Sequence, residues 1–149
     1  MKIKSKGGFT LLELLVVIAI IGVFTTIVMA SLNSARKKGE DASIQSTLKS
    51  IQTQSGLYFA QNGNYGATTA ACGGVGTMFA DSTAYGLFRL TTAAQLLTNN
   101  LACFSSSLLW VVSAELKSDP AKYWCIDNTG LSKIRSASAT STESLCGGY

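Results

Sequence analysis

Hydrophobic and polar positions along this chain fall into three regimes. Between Phe9 and Leu32 Leu, Val, Ile and Ala dominate, and from Leu14 to Ala35 there are 22 residues without a charge. At about 1.5 Å per residue a helix of that length is roughly 33 Å long, enough to cross a bilayer core of about 30 Å. From Ile44 onward the apolar residues thin into a stripe of Ile44, Leu48, Ile51, Ser55 and Tyr58, spaced 4, 3, 4 and 3 apart with one serine among them. That is the period of an amphipathic helix. Together the two regimes predict one helix over about 9–62, apolar all round in its first half and amphipathic in its second. Its length of roughly 80 Å suits a protruding stalk better than a compact globule. The stretch NGNYG (Asn62 to Gly66) stops it, because Gly and Asn both suit left-handed backbone conformations.

The third regime is polar and rich in Ser, Thr, Gly and Asn. Gly66 to Thr83 reads as a loop tied down through Cys72, and TTAAQLLTNN predicts a short helix around Thr92 to Asn99. SLLWVVSAEL (Ser107 to Leu116) is β-branched and aromatic, and KSDPA is a turn. KYWCIDNTG then reads as a second strand ending in a hairpin turn at Asp127 to Gly130, with LSKIRSA as a third strand antiparallel to it. Helix first and strands afterwards indicates an α+β domain, an antiparallel sheet packed on the second half of the helix. The Ser/Thr-rich tail SASATSTESLCGGY is expected to be stapled onto the sheet by Cys146.

Charge changes this picture little. The net charge is +4, but Lys2, Lys4 and Lys6 precede the apolar run and Arg36, Lys37 and Lys38 follow it. Beyond Ser43 six basic residues face five acidic ones. No basic stripe results, so nucleic acid is not indicated as a partner. The positive-inside rule is nearly tied across the apolar run.

The cysteines break the tie. Cys72, Cys103, Cys125 and Cys146 all lie in the polar part, none forms a CxxC pair, and the chain contains no histidine. Two disulfides in an oxidising compartment explain them better than a zinc site, which puts the C-terminal part outside. Four cysteines allow three connectivities, and the sequence does not choose among them. Cys72 with Cys103 and Cys125 with Cys146 is preferred, since each pair closes a separate local segment.

Candidate chemistry is sparse. Without histidine there is no Ser-His or Cys-His nucleophile pair, and Asp81, Glu115, Asp119, Asp127 and Glu143 form no acid–base pattern. Asp119 and Asp127 flank turns, where Asp is common for backbone reasons. No enzymatic activity and no cofactor are expected. Tyr65, Tyr85 and Tyr149 are candidates for surface contacts, with partly buried packing as the alternative.

One residue stands out. Glu13 is a carboxylate five residues into the apolar run, where a charge costs roughly 2.5–3.5 kcal/mol near the middle of a membrane span. A short basic leader before an apolar run suggests a secretory signal, but such signals have apolar regions of about 7–15 residues. This run is longer, so a cut is expected ahead of it, after the Gly7-Gly8 pair. An uncut single-pass anchor is the alternative.

The stretch GGFTLLELLVVIAIIGV resembles the prepilin signature of type IV pilins and of the pseudopilins of type II secretion, over about residues 6–30. The resemblance implies cleavage by a prepilin peptidase between Gly8 and Phe9, N-methylation of Phe9, and Glu13 in the position of the family's glutamate. It divides the chain into a leader, 1–8, a membrane and assembly helix, 9–35, and a soluble head, 36–149. In a filament the glutamate of one subunit would meet the free amino terminus of the next. Breaking such a buried pair typically costs about 3–5 kcal/mol, so it can set register. The local alternative is a Glu favoured by the helix dipole and snorkelling to the interface. Many type IV pilins carry a proline in the apolar helix, whereas the only proline here is Pro120. Gly22, Thr25 and Thr26 are the positions that could loosen the helix instead.

The function the resemblance implies is a structural subunit of a type IV pilus-like filament, a major pilin serving adhesion, motility or DNA uptake. A type II secretion pseudopilin or a minor pilin is the alternative within the family. Some major pseudopilins bind calcium in a C-terminal loop, for which Asp127 and Glu143 are the candidate oxygen ligands. The implied partners are membrane lipid before assembly, other copies of the chain, the peptidase, minor pilins and an inner-membrane assembly platform. The implied location is the inner membrane, then an extracellular filament. A non-assembling, membrane-anchored binding module is the alternative from another class.

Overall fold

A computed structural model describes residues 8–139 and 145–147. Its elements are α1 (Leu11–Asn62), α2 (Phe88–Leu97), β1 (Leu101–Ser105), β2 (Trp110–Glu115), β3 (Tyr123–Asp127) and β4 (Ser132–Arg135). The strands form one meander in the order β1-β2-β3-β4, with every neighbouring pair antiparallel. The fold is α+β, one long N-terminal helix and a four-stranded antiparallel sheet. Two compact units result, Met1–Arg36 and Lys37–Tyr149.

In the first unit the helix runs without interruption through Gly22, Thr25 and Thr26. The two threonine hydroxyls donate back to the carbonyls of Ile21 (2.7 Å) and Val23 (2.8 Å), which satisfies them inside an apolar stretch.

In the second unit the stripe does what its period requires. Ile44, Leu48, Ile51, Ser55 and Tyr58 are all buried. Ile44, Leu48, Ile51 and Tyr58 share one core with Met78, Phe79 and Leu87 of the loop, Ala94 of α2, and Cys103, Trp110, Val112, Ala114 and Ile126 of the sheet. The interrupting serine costs little, because its hydroxyl donates to the Gln52 carbonyl at 2.8 Å. The helix ends at Asn62, where Gly63 adopts φ 73° and its N–H reaches the Phe59 carbonyl at 2.8 Å. A Cβ at that φ would be strained, so the glycine makes the stop.

The strands alternate as a half-buried sheet should, but both faces are covered. Trp110, Val112 and Ala114 of β2 join the helix-side core, whereas Val111 packs with Phe104, Cys125, Ala139 and Cys146 on the opposite side. The loop protects the β1 edge, since Thr69 and Ser105 exchange two backbone hydrogen bonds of 3.0 Å and Tyr65 N–H donates to the Ser107 carbonyl.

Three expectations need correction. The sheet has a fourth strand, β1, which the pattern reading missed. LACFS is short, and its half-buried pattern is decided by pairing with β2. The strand expected over Ser107 to Leu116 covers only Trp110–Glu115, because Ser106 to Leu109 is the turn joining it to β1. The short helix lies at Phe88–Leu97 instead of Thr92 to Asn99, since Thr98 is already extended and bonds the Glu115 carbonyl at 2.7 Å.

Leu48 is fully buried and Leu57, further along α1, is 52% exposed. Leu48→Ala should cost about 2–5 kcal/mol, and Leu57→Ala should stay within about 0.5 kcal/mol. Urea unfolding of the full chain in detergent, followed by Trp110 and Trp124 fluorescence, measures both. Tyr58 gives a pH test. Burial, followed by the charge and hydrogen bond of Asp81, raises its phenol above the ordinary value near 10. The unfolded chain releases this proton first, so the stabilisation is complete below about pH 10 and is lost as pH rises further. An alkaline absorbance titration should lose its highest tyrosine step in Tyr58→Phe.

Candidate functional site

The candidate site begins where the described chain begins. Gly8, Phe9 and Thr10 precede α1 and are exposed; residues 1–7, with Lys2, Lys4 and Lys6, lie outside the described residues. From Phe9 to Leu32 the large apolar side chains are 45–89% exposed. None of the most apolar stretch of α1 is buried, and the helix is long and apolar enough to cross a membrane. Exposed on all sides, this surface needs an apolar environment.

Glu13 sits in the first turn of α1. Its Oε2 accepts from the Thr10 N–H (2.9 Å) and from the Thr10 hydroxyl (2.9 Å), and its own N–H donates to Thr10 Oγ1 (3.2 Å). This is a capping box, in which N-cap and third helical residue satisfy each other's free N–H groups. It explains why α1 starts at Leu11 and not at Phe9. The signal for it is the spacing T-x-x-E at Thr10 to Glu13, which the sequence reading passed over. With one helix end and one carboxylate joined locally, the charge is held at the tip of the apolar stretch, where the helix dipole favours it.

The head carries two disulfides, Cys72–Cys103 and Cys125–Cys146. The first ties the loop to β1 on the helix side, and the second ties the tail to β3 on the far side. Asp127 reinforces the second. It is fully buried, its Oδ1 accepting from Thr129 N–H (2.9 Å) and hydroxyl (2.6 Å), its Oδ2 from Cys146 N–H (2.8 Å). Ser113 Oγ holds Ala139 N–H at 2.7 Å on the same face.

Both Asp127 oxygens thus serve the turn and the tail. Glu143, the other calcium candidate, lies outside the described residues, as does Tyr149. No group of three potential His, Cys, Asp or Glu metal ligands occurs among the described residues. Of the other tyrosines, Tyr65 is half-buried against Phe59 and Trp110, and Tyr85 is exposed.

Asp119 caps its turn through Ala121 N–H and pairs with Lys122 at 3.0 Å. Both contacts lower its carboxyl below the ordinary value, the lysine first. A groove of about 560 Å³ opens beside α2 between Gln54, Asp81, Thr83 and Arg89. Asp81 is used within the head, by Thr83 N–H and by Tyr58.

Asp41 is a buried acid that the sequence reading passed over. Its carboxylate accepts Lys117 N–H at 2.6 Å and Ser118 N–H at 3.2 Å, fastening the β2–β3 turn to α1. Its place one helical turn before Ile44, in line with the stripe, was the available signal.

A family described as the prokaryotic N-terminal methylation motif matches residues 3–29. Over 68 residues the chain is 34% identical to the type IV wide pilus major component PilA4 of Thermus thermophilus, 46% of this chain and 52% of that one. Over 70 residues it is 32% identical to the type II secretion system core protein G of Dickeya chrysanthemi, 47% of this chain and 46% of that one. Over 68 residues it is 31% identical to the core protein G of Klebsiella michiganensis, covering 46% and 48%. The chain thus spans about half the length of the curated relatives it matches. No solved structure matches it.

Replacing Asp127 with Asn puts an N–H₂ where an acceptor meets a buried N–H. Asp127→Asn should cost about 1–3 kcal/mol and speed reduction of Cys125–Cys146 by dithiothreitol while leaving Cys72–Cys103 unchanged. Timed alkylation with peptide mapping reads the two bonds separately.

Proposed function

We propose, for a chain that belongs by its N-terminal motif to the type IV pilin and pseudopilin family, that it is a structural subunit of an extracytoplasmic filament. Pilins and pseudopilins are structural subunits, and the work of assembly falls to other proteins. The observation that carries the reading is the exposed apolar half of α1, with its single carboxylate at the tip. A membrane can cover that surface in one state and neighbouring helices in another.

In this reading the prepilin peptidase cuts between Gly8 and Phe9, and Phe9 is N-methylated. The new α-amino group lies four residues from Glu13. On assembly the Glu13 carboxylate pairs with the Phe9 amine of a neighbouring copy, so that neither charge is buried alone. The head stands outside the inner membrane, where its disulfides form. A platform, minor pilins and a motor would move the subunits.

The major pilin is the first reading, supported by the likeness to a wide pilus component. The pseudopilin of a type II secretion system is the second, supported by two of the relatives.

Intact mass spectrometry of the protein from native membranes and from sheared surface material tests the processing. The expected mass begins at a methylated Phe9 and gains thiols only after reduction. A mass that retains Met1 to Gly8 would sink the cleavage reading in favour of an anchored, non-assembling module. Recovery in the sheared fraction marks a pilin, and retention with the cell marks a pseudopilin. Glu13→Ala should reduce assembled material at least tenfold, since about 3–5 kcal/mol is at stake, while membrane levels of the subunit stay unchanged on immunoblots.

A further inference from the structure

The charge-free stretch of α1 ends at Ala35 and is followed at once by Arg36, Lys37 and Lys38. All three are exposed, and no side-chain hydrogen bond or ion pair reaches them among the described residues. The acids one helical turn further on do not neutralise them. Asp41, four residues after Lys37, is buried in the head and spends its oxygens on the Lys117 and Ser118 N–H groups. Glu40, four residues after Arg36, is exposed and makes no ion pair among the described residues. Three adjacent cations are therefore left to external anions.

Their angular spread says what kind of anion. Successive helical residues are about 100° apart, so the three cover roughly 200° of the helix circumference. A protein docking on one helix face would meet only some of them. A layer that surrounds the helix meets all three, and the long stems of Lys and Arg can lie along the apolar surface while their heads reach that layer.

We propose that Arg36, Lys37 and Lys38 form a collar that binds anionic lipid headgroups at the C-terminal end of the apolar stretch. The collar makes the chain select acidic over zwitterionic phospholipid around α1. It rests on the reading that this half of α1 spans a bilayer. Its consequence for assembly is that a subunit leaving the bilayer must give up these headgroups as well as its lipid tails.

The full chain in phosphatidylcholine bilayers, probed with spin-labelled phosphatidylglycerol or phosphatidylcholine, tests this. Electron paramagnetic resonance reads the fraction of each label immobilised by the protein. One cation near an anionic surface corresponds to about fivefold, so a severalfold preference for phosphatidylglycerol is expected at low salt. It should fall towards unity in about 1 M salt, where charges are screened beyond about 3 Å. The triple variant Arg36→Gln, Lys37→Gln, Lys38→Gln should lose the preference with its urea midpoint unchanged. In the uncleaved chain Lys2→Gln, Lys4→Gln, Lys6→Gln, which neutralises the opposite flank, should retain it. Preference that survives in the first variant and disappears in the second overturns the collar. So does a wild-type chain that resists alkaline carbonate extraction but shows no preference. Release of the wild-type chain by carbonate overturns the membrane reading itself.

Discussion

The burial of one face of α1 against the sheet is the contact from which the rest of the head follows. Ile44, Leu48 and Ile51 share their core with Trp110, Val112 and Ile126, and nothing in that core is polar enough to do without it. Once the helix occupies one side of the sheet, the other side must be covered too, because β2 places Val111 there by strand alternation. The tail does this, held by a disulfide, a buried carboxylate and the Ser113 hydroxyl. In its first half the same helix leaves its large apolar side chains exposed. One continuous element therefore carries two solvent requirements, and the filament reading is a way to meet both.

Three carboxylates show how the chain manages charge at its joints. Glu13 closes the start of α1, Asp41 fastens the β2–β3 turn, and Asp127 anchors the tail, each through backbone N–H donors within the chain. Hydrogen bonds to an ionised acceptor are roughly twice as strong as neutral ones. They need no lysine or arginine, and among the described residues no ion pair reaches the cations after Ala35. In the proposed filament the capping box at Glu13 would have to release its carboxylate before a neighbour's amino group could pair with it.

Much of this was legible in the sequence because it depends on short-range spacing. The apolar run, the stripe from Ile44 to Tyr58, the stop at Gly63 and the turns at Asp119 and Asp127 are periodic or local features, and each appears where its pattern put it. The capping box was equally legible, in the spacing from Thr10 to Glu13. Strand β1 was not, because five residues of mixed character become a strand only beside β2.

By itself the sequence determined the N-terminal motif, the two-part helix and the order of helix before sheet, since each follows from the nearest few neighbours along the chain. Tertiary structure alone decided the rest: the partnering of the four cysteines, the fourth strand, and the roles of Asp41 and Asp127. Asp41 meets Lys117 across 76 positions and Asp127 meets Cys146 across 19. Contacts of that range exist only after the core has brought distant segments together, so local spacing names neither partner.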